Sequence, residues 1–112
     1  MTRDESLRLH GILDAVAAIR TYLARGELSD DLVFDAVCMR FVEIGEAVKD
    51  LPSHLRDSEP DLPWSTITGL RDRLAHRYFD TSREVIAATA GQDLSDLEAA
   101  ATRMLDRLQV PD

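Results

Sequence analysis

Leu70-Arg71-Asp72-Arg73-Leu74-Ala75-His76-Arg77-Tyr78-Phe79 sets the fold and concentrates the chemistry of the chain. Leu70, Leu74 and Tyr78 recur every four residues, which gathers them on one side of a helix and predicts a helix rather than a strand. The same stretch holds three arginines, a carboxylate, a histidine and a tyrosine. Arginine can grip a phosphate with two parallel hydrogen bonds, histidine moves a proton near neutral pH, and tyrosine offers a hydroxyl. These are the parts of phosphate-ester chemistry. On spacing alone a plainer reading competes with it: a charged helix face with i,i+4 pairs, and Tyr78 as a core aromatic.

Upstream, Ile67 extends the apolar side and Pro63-Trp64 suits a helix start, because proline at the first helical position lacks only an N–H that would be unpaired anyway. Leu51-Pro52, Pro60 and Pro63 make residues 52–62 a connector with one helical turn near 53–56. Before it, Val37, Phe41, Ile44, Val48 and Leu51 step by four and three and predict a helix over 30–50. Leu9, Ile12, Val16, Ile19 and Leu23 do the same for 4–25. Gly26 marks the stop between them, Ser29-Asp30 supplies capping oxygens, and the short loop predicts antiparallel packing. Downstream, Asp80-Thr81-Ser82 is a capping turn, a short helix covers 83–90, Gly91 closes it, and Leu94, Leu97, Ala101, Met104 and Leu108 place a last helix over 93–108. No stretch reads as a strand. The expectation is one all-α domain over 1–112, an up-and-down bundle of three long helices plus the shorter helix with the central stretch and a short companion.

The chain has 112 residues and a formal charge of −8, so it does not coat nucleic acid by bulk attraction, and any such contact is local. Lys49 is the only lysine and Cys38 the only cysteine, the latter at an apolar helix position that predicts a buried thiol. Acids near the N-terminus and the lack of an apolar run of about 18 residues predict a cytoplasmic chain with no membrane segment. His10, His54 and His76 are scattered, so no metal site is expected, and Glu43 and Glu46 read as solvated or salt-bridged.

At about 100° per residue, Asp72 and His76 differ by about 40°, so the carboxylate can reach and orient the imidazole. Arg71 and Tyr78 differ by about 20°, whereas Arg71 and His76 are about 140° apart. One straight helix cannot turn both toward one small site. Either the helix distorts near His76, or Arg71 reaches round, or a second copy of the stretch completes the site. The homodimer is the simplest of the three, since closed dimers are the commonest oligomers. In its cleft the arginines would hold phosphate oxygens while His76 acts as acid or base, and RNA would be cut without a metal.

The string Arg71-Asp72-Arg73-Leu74-Ala75-His76-Arg77-Tyr78 resembles the Arg-x4-His-x-Tyr signature of the HepT-like branch of the HEPN superfamily. Pro63-Trp64, Ile67-Thr68-Gly69-Leu70, Tyr78-Phe79-Asp80 and Glu43-Ile44-Gly45-Glu46-Ala47 are similar to that family's phrasing, over roughly residues 5–108. The resemblance implies a HEPN-like helical toxin of a toxin–antitoxin pair, a homodimeric, metal-independent endoribonuclease acting on tRNA or mRNA. It implies Arg71 and His76 as the catalytic pair, with Asp72, Arg73 and Arg77 supporting them. It further implies Tyr78 as the residue to which an MNT-type nucleotidyltransferase antitoxin attaches AMP. The chain would need no cofactor; ATP would be used by that partner. The position after the arginine is often asparagine in the family, and Asp72 would repel phosphate unless a cation or His76 engages it. The alternative function is a non-catalytic helical subunit that binds a nucleotidyltransferase and its substrate.

Overall fold

The structure, a computed structural model, describes residues 3–76 and 82–109. Among them the chain forms α1 (Arg3–Arg25), α2 (Asp31–Asp50), α3 (Ser53–Asp57), α4 (Trp64–His76), α5 (Arg83–Ala88) and α6 (Leu94–Gln109), with a widened π-type turn over Thr89–Asp93, and no strand. The all-α bundle of three long helices with a shorter fourth and a short companion is therefore the observed architecture.

Its core follows from the periodic apolar positions. Leu9, Ile12, Val16 and Ile19 of α1, Val37, Ile44 and Val48 of α2, and Leu94, Ala101 and Met104 of α6 are almost fully buried in one cluster. Each large aliphatic side chain buried there contributes about 1.5–3 kcal/mol of transfer free energy. Cys38 lies in the same cluster, and burial pushes its thiol up to about 11, so it stays protonated.

Ion pairs at the helix ends give the directions. Arg8 near the start of α1 pairs with Asp50 at the end of α2, so these helices run antiparallel. Arg20 near the end of α1 reaches Ser95 and Glu98 at the start of α6.

Boundaries fall where capping chemistry puts them. The Asp30 carboxylate accepts from Leu32 N–H at 2.8 Å, Leu51 leaves α2 in an extended conformation before Pro52, and the Ser82 hydroxyl accepts from Glu84 N–H. Gly26 works differently from a left-handed cap, because no described residue has positive φ. It lets the chain approach α2 closely: a Cβ there would lie 2.8 Å from Val33 Cγ2. The companion helix ends at Ala88, two residues sooner than its pattern suggests, and Gly91 kinks the following turn at φ −88°, ψ −115°.

Two contacts fix α4 from below. The Trp64 indole donates to the carbonyls of Arg56 and Glu59 at 3.0 Å, and the Glu59 carboxylate is gripped by Arg103 and Arg107 of α6. The helix that carries the central stretch is thereby seated on both the connector and α6.

Candidate functional site

Arg71 lies where α4 crosses α2, and Gly45 makes the crossing close. A Cβ on Gly45 would sit 2.1 Å from Arg71 Cβ and 2.7 Å from its Cγ, so the two helices meet there with no room for a side chain. Glycine inside a helix costs about 0.5–1 kcal/mol relative to alanine, and here close packing offsets that cost.

The next residues along α2 bring charge to the same place. Glu46 forms an ion pair with one Nη of Arg71, whose other Nη donates to Asp72 Oδ1 at 3.1 Å. Lys49 donates to the same Asp72 oxygen. The result is a chain of alternating charges, Lys49–Asp72–Arg71–Glu46, that joins α2 to α4. Lys49 first, and Arg71 second, hold the Asp72 carboxyl below the usual aspartate range, so it is ionised at neutral pH.

Asp72 therefore takes partners other than the one its spacing offered. It can reach His76 along the helix, yet its carboxylate is engaged by Lys49 and Arg71. The repulsion of phosphate expected from a carboxylate at this position is correspondingly offset by two cations.

The helix stays regular through His76, which is exposed. Arg71 faces α2 with only 25% of its side chain exposed, and His76 lies about 140° around the axis. Along the described helix the two therefore project to different sides. Arg73 is exposed and borders an open cleft of about 290 Å³ between α4 and the α5 region, shared with Thr66, Gly69, Val85 and Asp93. Gly69 and His76 are seven residues apart, about 20° on the helix, so the cleft lies on the His76 side. Arg77 and Tyr78 lie outside the described residues. No three His, Cys, Asp or Glu side chains cluster as metal ligands among the described residues, and no helix among them is long and apolar enough to cross a membrane.

Glu46, Lys49 and Gly45 are the site residues that the central stretch does not disclose. They lie about 25 positions upstream, and periodicity says nothing about which helix face meets Arg71. Two signals existed: a glycine inside an otherwise strong helix pattern, and the only lysine of the chain one turn beyond it.

A family model described as ribonuclease HepT-like matches residues 12–104. A relative from Caldanaerobacter subterraneus subsp. tengcongensis, named "Putative RNase", is 36% identical over 88 residues, covering 74% of this chain and 79% of that protein. The "Probable ribonuclease HepT" of Thermococcus cleftensis is 29% identical over 103 residues, covering 88% of this chain and 93% of its own. No solved structure matches the chain.

Proposed function

The chain belongs to the ribonuclease HepT-like family, and from that membership we propose that it is the endoribonuclease toxin of a toxin–antitoxin pair, working in the cytoplasm as a homodimer without a metal. The observation that carries the reading is the division of the motif between two faces: Arg71 is held toward α2 while His76 is exposed about 140° away. A two-fold axis beside α4 puts Arg71 of one chain opposite His76 of the partner subunit.

In that cleft one His76 accepts the proton of a ribose 2′-hydroxyl, and the 2′-oxygen attacks the adjacent phosphorus. The bond to the 5′-oxygen breaks, and that oxygen takes its proton from water, leaving a 2′,3′-cyclic phosphate and a 5′-hydroxyl, so that one Arg71–His76 pair is enough. Arg71 stabilises the charge that builds on the non-bridging oxygens. Arg73, on the His76 side of α4, and Arg77 supply further phosphate contacts, and Asp72 helps to orient Arg71.

Control comes from a cognate nucleotidyltransferase, which joins the Tyr78 oxygen to the α-phosphoryl group of ATP with loss of pyrophosphate. The attached AMP places a phosphate and a nucleoside next to the motif, blocking the cleft by bulk and by charge.

The test is induced expression of the wild-type chain and of His76→Ala in a host without the partner, with total RNA compared. Growth arrest and RNA loss with wild type alone are expected. Normal growth with both, from folded protein whose Tyr78 is unmodified by mass, would instead favour the non-catalytic nucleotidyltransferase-binding subunit. The net charge of −8 and the paired state of Arg71 favour that second reading.

A further inference from the structure

The Arg71 side chain is 25% exposed, so its guanidinium is only partly open to solvent. Its Nε is buried and has no hydrogen-bond partner among the described residues, so that side is turned into the protein. The two Nη atoms carry its contacts, one to Asp72 and one to Glu46. Each Nη has two hydrogens, which leaves one per nitrogen unclaimed among the described residues. The two carboxylates are not equivalent. Asp72 sits on the same helix as Arg71 and has its charge cancelled by Lys49, whereas Glu46 comes from α2 and pairs with Arg71 alone among the described residues.

An ion pair with one partner this exposed contributes little to stability. Glu46 is 47% exposed, and the crossing is already fixed by Gly45, so folding does not depend on this carboxylate. What depends on it is where the guanidinium points and how much positive charge it presents. An unpaired arginine would bind phosphate more tightly and in more than one orientation. One held by a carboxylate binds less tightly but in a fixed direction.

We propose that Glu46 is a positioning residue for Arg71, fixing its guanidinium against α2 and offsetting its charge so that an RNA phosphate is gripped in one orientation and released. The inference rests on the ribonuclease reading above.

Glu46→Gln keeps the shape and removes the charge. Placed in a His76→Ala background, so that a short single-stranded RNA stays uncut, it is expected to tighten binding about three- to tenfold at low salt. The fall of affinity with salt should steepen by about one phosphate contact. With His76 intact, kcat is expected to drop at least about tenfold while KM falls or stays level, a split that a purely structural role would not give. Independently of RNA, the Arg71 guanidinium N–H signals in NMR should be resolved and slow to exchange in wild type and lost in Glu46→Gln. Failure of the wild-type chain to bind or cut RNA would remove the ribonuclease reading, while loss of those signals would still support the positioning role. Guanidinium signals that persist in Glu46→Gln overturn the proposal. So do unchanged affinity, salt dependence and kcat in a variant of a wild type that does cleave RNA.

Discussion

At position 45 any side chain would enter space already filled by Arg71. Alanine favours a helix over glycine by about 0.8–1 kcal/mol, but a Cβ 2.1 Å from another Cβ forces the two helices apart, and overpacking of that kind costs about 1–3 kcal/mol. The clash outweighs the propensity, because the atoms it meets belong to the root of the Arg71 side chain and cannot swing away. Gly45→Ala is therefore expected to destabilise the chain by up to about 2 kcal/mol, read as a lower denaturant midpoint; greater stability would show that the crossing is looser. The motif itself was legible from its residue types, since Arg71, Asp72 and His76 lie in one helix and the fold confirms that helix. The partner of Asp72 was not. The i,i+4 rule offers His76, but Lys49 arrives from another helix, and a tertiary cation that supplies full charge prevails over a local neighbour.

Among the elements, α4 is the one whose seat matters most, and Glu59 holds it. The Glu59 side chain is only 9% exposed and takes hydrogen bonds from Arg103 at 2.7 and 3.1 Å and from Arg107 at 2.7 Å. Arg103, first, and then Arg107 hold its carboxyl below the usual glutamate range against the opposing effect of burial. A carboxyl whose folded value is depressed contributes stability above its unfolded value, about 4.3, and loses it as pH falls through the folded value. Glu59→Gln should thus cost about 1–3 kcal/mol at pH 7, discounted because both arginines are about half exposed. The difference from wild type should shrink as the pH is lowered toward 3. Denaturant midpoints at the two pH values check this, and a difference independent of pH would contradict it. Helix ends were largely legible, because Asp30, Ser82 and Leu51-Pro52 are local signals. The widened turn at Thr89–Asp93 was not: a glycine that stops a helix and one that kinks it look alike until Ile86 and Leu94 are seen to share one core.

For the whole molecule the acidic balance favours the partner-binding subunit, whereas the divided motif favours a site shared by two chains. A chain of net charge −8 gains little from bulk attraction to RNA, and Arg71 and His76 project about 140° apart on α4. The all-α bundle was readable because three long amphipathic patterns and short loops leave few other arrangements. Whether two copies meet was not, since residues that would face a second chain obey the same periodicity as any solvated face. The most direct measurement mixes two purified variants, Arg71→Ala and His76→Ala, each inactive alone. After exchange of subunits about half of the dimers are mixed, and each contains one intact Arg71–His76 pair out of two, so about a quarter of wild-type RNA cleavage should return. If mixed dimers form and cleavage stays at the level of the separate variants, each chain completes its own site and the shared cleft is wrong.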